Sequence, residues 1–259
     1  MAELNVGVKL ILSSRRHEVL EELKTSLVET NNGSTAVDVS VVPLDLADLA
    51  ALPAAAEFAL RAFDGVDILL NNGGVSTRAL ARDTAFTVDQ HINAVDFLGQ
   101  IRLTKAILQQ LVERRGHVIN VSSLAGKVGL PLRTAYSGAK FALIGWMDGL
   151  RLEQPEITVT NVCPGSVQTE VSKNALKGDG SAFGVTDRNI AMGLAVSVCV
   201  NRMLIAVSNQ LDELWVAGAQ ELTLAYMNQY SPDYLRTQLK QKASAAIAAT
   251  LAAPASSAP

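Results

Sequence analysis

Short apolar runs alternate with longer amphipathic stretches along most of the chain. Val8–Ser13, Val37–Val42, Val66–Leu70, Val118–Ser122, Thr158–Val162 and Glu213–Val216 are rich in branched residues and read as strands. Between them lie stretches with apolar residues at three- and four-residue spacing. The first runs from Arg16 to Glu29, with Val19, Leu20, Leu23 and Leu27 on one face. Leu46–Phe63, Thr87–Arg114 and Thr134–Glu153 follow as further helices. The strands are apolar nearly throughout, as expected where a sheet is covered on both faces. Regular βαβ alternation of this kind predicts an α/β fold with a doubly wound parallel sheet.

Composition narrows the picture. The 259 residues are 49% hydrophobic and 18% charged, which suits one domain, placed at 1–242, with a large core. Segment 243–259 is built of Ala, Ser, Pro and little else. Its first half is able to extend a helix, whereas Pro254 and the Ser-Ser-Ala-Pro ending read as a disordered tail. A net charge of −3 offers no basic surface for nucleic acid. Cys163 and Cys199 stand far apart and read as buried apolar residues, and His17, His91 and His117 have no metal-ligand spacing. The apolar stretch Ile190–Val207 contains Asn201 and Arg202, so it reads as a core helix rather than a membrane span.

The chemistry concentrates in Tyr136-Ser137-Gly138-Ala139-Lys140, with Ser123 thirteen residues before the tyrosine. Positions i and i+4 share one helix face, so the phenol and the ammonium address one point. An ammonium ~5 Å from a phenol, at an effective dielectric of ~20, favours the ionised ring by about 3 kcal/mol. That suits proton exchange with an alcohol or carbonyl oxygen, which the Ser123 hydroxyl would hold in place. A lone Y-x-x-x-K arises by chance on amphipathic helices. Here three predicted strands end in small, polar or backbone-exposing residues: Ser122-Ser123, Asn71-Asn72-Gly73-Gly74 and Pro164-Gly165. Sites in open α/β sheets form at such strand ends.

Together these motifs resemble the short-chain dehydrogenase/reductase superfamily over about residues 7–240, and so imply a Rossmann-like fold. The likeness extends to the branch called dehydrogenase/reductase member 7, on Gly99–Lys105, Ala125–Pro131, Cys163–Thr169 and Lys173–Ser181. The resemblance implies Tyr136 as acid/base, Lys140 as its partner and ribose ligand, and Ser123 as the group orienting substrate oxygen. It places Asn72, Gly73 and Gly74 at the adenosine ribose, and Asp45 and Leu46 at the adenine. Pro164, Gly165, Val167 and Thr169 then meet the nicotinamide, and Glu170 to about Met192 forms a substrate lid. Arg15 and Arg16, ending the first predicted strand, suit the extra phosphate of NADP(H) rather than the ribose hydroxyls of NAD. The apolar lid residues Ala182, Phe183 and Val185 imply a hydrophobic carbonyl or alcohol substrate. The family also implies a homodimer or homotetramer through the helices Thr87–Arg114 and Thr134–Glu153. Anchoring to the endoplasmic reticulum is implied for relatives of the branch with an N-terminal apolar segment; the residues as they stand read as soluble or cytoplasmic, and the location is left unknown.

Two departures stand out. The family opens with a strand and a glycine-rich loop whose helix amides hold pyrophosphate. Nothing of that kind precedes Val8, and Met1–Gly7 reads as the last turn of a helix with its glycine stop. The chain is therefore expected to open about 25–30 residues into the first βαβ unit. The first strand and loop would be missing, with unpaired edges left beside the strand at Ile68. An incomplete coding sequence and a short product that works without cofactor both remain readings of this feature. The second departure is Asp96, three residues before Gly99, where the family carries an asparagine supporting a proton-relay water; Asn93 lies three residues away. Besides the oxidoreductase, a catalytically silent Rossmann-like binding protein fits the sequence. The extended epimerase/dehydratase relatives fit less well, given the short chain and N-N-x-G.

Overall fold

The computed structural model describes residues 7–30 and 37–252. Met1–Val6, read as the end of a helix, and 253–259, the proline-containing end of the tail, lie outside the described residues.

The chain opens on β1 (Lys9–Leu12), α1 (His17–Thr30) and β2 (Asp38–Val41). Then come α2 (Leu52–Ala62), β3 (Ile68–Asn71), α3 (Phe86–Asn93) and α4 (Gly99–Glu113), the last two joined by a π-helical turn at Ala94–Leu98. β4 (His117–Val121), α5 (Thr134–Glu153) and β5 (Thr158–Pro164) follow. The C-terminal part holds α6 (Arg188–Ala191), α7 (Val196–Ser208), β6 (Glu213–Val216), α8 (Ala219–Tyr230) and α9 (Pro232–Ala252).

All strand pairs are parallel, in two sheets: β1 beside β2, and β3-β4-β5-β6 in that order. Alternate residues of the larger sheet feed opposite layers. Val118 and Val159 pack with Leu111, Leu143 and Met147 of α4 and α5. Ile119 and Val162 pack with Cys199 of α7. Helices on both faces explain why β4 and β5 are buried on both sides, the polar His117, Asn120, Thr160 and Asn161 included.

Several expected bounds move. The helix read over Leu46–Phe63 begins only at Leu52, because Ala47 N–H and Ala51 N–H turn back onto the Asp45 and Asp48 carboxylates. The Ile190–Val207 helix is broken: α6 ends at Ala191, α7 starts at Val196, and Gly193 packs against the Ser166 carbonyl between them. α8 had no counterpart among the expected helices. α9 runs to Ala252, so the first half of 243–259 extends a helix. No described helix is long and apolar enough to cross a membrane.

The single doubly wound sheet is thus divided. β1 and β3 face one another across a cavity of about 1270 Å³, which continues past the carboxyl ends of both strands.

Candidate active site

Tyr136 and Lys140 sit one turn apart on α5, with the Lys140 ammonium 5.8 Å from the tyrosine ring centre. Lys140 is buried and donates a hydrogen bond to the Val121 carbonyl at the end of β4. Ser123, two residues on, caps a 3-10 turn: its Oγ accepts from Ala125 N–H and donates to the Pro164 carbonyl at the end of β5. The strand ends therefore fix the hydroxyl and the ammonium, and the helix fixes the phenol. Entry into α5 is set by Leu132, whose left-handed φ of 64° is unusual for a bulky residue. Its carbonyl accepts from Ala79 N–H and Thr77 Oγ, tying the turn to the loop after β3.

Asp96 lies in the π-helical turn, a local widening of the backbone often found at functional sites. Its side chain is fully buried; Oδ1 accepts from Val75 N–H, and Oδ2 is an orphaned buried oxygen. Burial pushes this carboxyl up to about 6, against the opposing pull of the Lys140 ammonium and the Val75 N–H. Asn93 instead donates to the Asp89 carbonyl within its own helix. Of the two residues, only Asp96 faces the lysine.

The remaining expected residues divide. Asn72, Gly74, Pro164, Gly165, Val167 and Thr169 line the same cavity as Ser123, Tyr136 and Lys140. Gly73 does not, but its carbonyl accepts from Gln100, and the buried chain Asn71–Thr104–Gln100 anchors this strand end to α4. Arg15 and Arg16 are exposed past the end of β1, away from the cavity lining. Asp45 is exposed, while Leu46 packs beside Gly73 without reaching the cavity. Of the expected lid, Glu170, Val171, Asn174 and Ile190 line the cavity; Ala182, Phe183 and Val185 do not. Burial, with Glu213 nearby, pushes the Cys163 thiol up to about 12, so it stays protonated beside Pro164.

Two clusters were not legible in the sequence. Asp187, the N-cap of α6, pairs with Arg78 at 2.6 Å and Arg133 at 3.4 Å, tying the lid to the loop after β3 and to the start of α5. Burial works to raise Asp187, but the Arg78 and Ile190 hydrogen bonds and both guanidinium charges hold it below its ordinary value. Burial and the neighbouring Arg78 hold Arg133 below its own. At the other rim, Glu221 accepts from Ser166 N–H at 2.9 Å and Ser166 Oγ at 2.7 Å. Gly165 permits this approach, since a Cβ there would lie 2.3 Å from the Glu221 carboxylate. The clusters join residues 109 and 55 positions apart, and only a weak local signal, the Glu at N3 of α8, preceded them.

The short chain dehydrogenase family model matches residues 2–180. Human dehydrogenase/reductase SDR family member 7 is 37% identical over 233 residues, 88% of this chain and 68% of that protein. Mouse dehydrogenase/reductase SDR family member 7B is 36% identical over 229 residues, 87% of this chain and 71% of that protein. The fold is similar to that of a short chain dehydrogenase/reductase from Burkholderia phymatum in complex with NAD. There the TM-score is 0.76 at 18% identity, covering 90% of this chain and 87% of that one. An alcohol dehydrogenase from Thermococcus sibiricus complexed with 5-hydroxy-NADP gives a TM-score of 0.70 at 19% identity, over 84% and 89% of the chains. The matched span includes both the strand end at Ser123 and the helix of Tyr136 and Lys140, and with it the chain belongs to the short-chain dehydrogenase family.

Proposed function

We propose that the chain is an NADP(H)-dependent oxidoreductase that interconverts an alcohol and a ketone or aldehyde on a hydrophobic substrate. The observation that carries this reading is the convergence of Ser123, Tyr136 and Lys140 on one cavity at the carboxyl ends of β4 and β5. Ser123 holds the substrate oxygen, and Tyr136 gives or takes the proton at that oxygen. Lys140 reaches the ribose hydroxyls, and its charge compensates what proton transfer leaves on the phenol.

The residues fit the nicotinamide half of the cofactor. Pro164, Gly165 and Val167 form its wall, and Thr169 meets the carboxamide. When bound, the nicotinamide ring supplies or accepts the hydride at carbon. Asn72, Gly73 and Gly74 serve the adenosine ribose, and Asp45 and Leu46 the adenine. Arg15 and Arg16 meet the additional phosphate, which favours NADP(H) over NAD. Exposed Phe141 and Leu152 on α5 support pairing as a homodimer or homotetramer.

A second reading is a silent Rossmann-like binding protein, and the observation that favours it is the buried Asp96 carboxyl facing Lys140, which would hold the ammonium away from its work on Tyr136. Fluorescence titration with NADPH, followed by NADPH-dependent reduction of a carbonyl panel with Tyr136→Phe as control, separates the two. Saturable binding and turnover lost in the variant support the oxidoreductase; a folded protein without binding supports the second reading. Arg15→Asp raising the NADPH dissociation constant supports the choice of NADP(H), and an unchanged constant overturns it.

A further inference from the structure

We infer that Arg133 is a specificity-determining residue that binds a carboxylate on the substrate, so that the preferred substrate is a hydrophobic oxo acid or the corresponding hydroxy acid. This rests on the oxidoreductase reading and narrows its substrate class. Two guanidinium groups share the Asp187 carboxylate, and they share it unequally. Arg78 engages four of its five N–H groups: Nε and Nη2 donate to Asp187 Oδ2, and Nη1 donates to Ser76 Oγ and to the Thr77 carbonyl. Among the described residues, the Arg133 fork makes a single hydrogen bond, from Nη2 to the same Oδ2 at 3.4 Å.

Asp187 has little left to give Arg133. Its Oδ2 already accepts twice from Arg78 at 3.0 and 2.6 Å, and its Oδ1 accepts from Ile190 N–H. Most of the Arg133 fork is therefore without an acceptor, although only 21% of its side chain is exposed. A guanidinium largely withdrawn from water needs partners for its N–H groups. The planar, two-oxygen carboxylate is the anion that this fork matches. Burial and the neighbouring Arg78 both work against the Arg133 charge, and an incoming anion would relieve that opposition.

The surroundings put this fork beside the chemistry. Arg133 precedes Tyr136 by three residues, the spacing of neighbours on one helix face. Its carbonyl accepts from Ser137 N–H, and the Leu132 carbonyl before it accepts from Ala79 N–H, so the backbone under the side chain is fixed in advance. The Arg78–Asp187–Arg133 cluster sits between two residues that line the cavity, Tyr136 and Ile190. Asp187 neutralises one of the two arginines. Glu221, the other carboxylate acting on Arg133, already accepts from Ser166 N–H, Ser166 Oγ and Gly218 N–H. A substrate with its ketone oxygen at Ser123 and Tyr136 thus reaches Arg133 with a group a few carbons away. A carboxylate there gains an attraction that an ester does not.

The test uses the full chain and a series of phenyl oxo acids with about two to five carbons between ketone and carboxylate. Each acid is compared with its own methyl ester. Calorimetry without NADPH reads binding, and kcat/KM with NADPH reads turnover. One acid of the series is expected to be preferred over its ester by about tenfold or more, through KM rather than kcat. Arg133→Met, which keeps an apolar stem of similar length, should bring that ratio to about one. Arg133→Lys, a cation without the fork, should keep part of it. A parent chain that prefers no acid over its ester would overturn the inference, whatever the variants do. So would a preference that survives in Arg133→Met, which is the mark of an arginine that only ties segment 170–192 in place. The two readings fail separately. Binding of an acid that depends on Arg133, with no turnover, sinks the oxidoreductase and leaves the carboxylate site; equal turnover of acids and esters does the reverse.

Discussion

Asp96 and Lys140 face one another over the backbone of Gly74, where a Cβ atom would lie 2.9 Å from Asp96 Oδ1 and 3.4 Å from Lys140 Nζ. Glycine is what allows the strand end, the carboxyl and the ammonium to meet at one place.

This relationship makes stability depend on pH. The folded value of Asp96 lies above its ordinary one, so the folded state holds the proton more tightly than the unfolded chain. The contribution is fully present below the ordinary carboxylate value and is lost as pH rises from there through about 6. At ~1.4 kcal/mol per pH unit of displacement, the neutral protein carries a deficit of about 3 kcal/mol. Asp96→Asn keeps an acceptor for Val75 N–H and removes the titration. Thermal denaturation should show the parent losing stability, relative to the variant, as pH rises from the ordinary carboxylate value through about 6, so that the variant is the more stable at neutral pH. Parallel curves would contradict the assignment.

The same substitution bears on turnover. An ionised Asp96 competes with Tyr136 for the influence of Lys140. Asp96→Asn is expected to raise NADPH-dependent carbonyl reduction at neutral pH by up to about tenfold, equivalent to about 1.4 kcal/mol. No gain in rate would mean that the carboxylate does not hinder the lysine.

Asp187 holds segment 170–192, the expected lid, by two arginines, one of them buried. Asp187→Asn would leave Arg78 without its charge partner and cost about 3 kcal/mol. Limited proteolysis should then cut within 170–192 much faster than in the parent. Because the folded value of Asp187 is depressed, its stabilising contribution is present above the ordinary carboxylate value and fades as pH falls below it. Acid should therefore loosen the parent lid and leave the variant unchanged.

Glu221 pins the turn that carries Pro164 and Gly165. Glu221→Ala would leave Ser166 N–H and Oγ without their acceptor, a loss of about 1–3 kcal/mol. The NADPH dissociation constant should rise by roughly tenfold or more, with Glu221→Gln, which keeps an acceptor, close to the parent. Equal constants in all three proteins would remove Glu221 from the positioning of this loop.

Much of this site was legible because its residues are local. Tyr136 and Lys140 are one helical turn apart, and Ser123 and Pro164 each close an apolar run, so helical period and strand ends bring them together. The NADP(H) reading of Arg15 and Arg16 rests on their place after a strand, and burial adds nothing to it, since both are exposed. Composition does not tell which residues of 170–192 reach the cavity: Ala182, Phe183 and Val185 are apolar, but the chain path puts Glu170, Val171, Asn174 and Ile190 there.

The sequence by itself determined the six parallel strands, the amphipathic helices between them and the grouping of Ser123, Tyr136 and Lys140, because periodicity and strand-end chemistry are properties of short segments. Tertiary structure alone decided the rest. It brought Asp187 to Arg78 and Glu221 to Ser166 across long separations. It buried Asp96 against Lys140, raising a carboxyl whose neighbours in sequence give no hint of its surroundings.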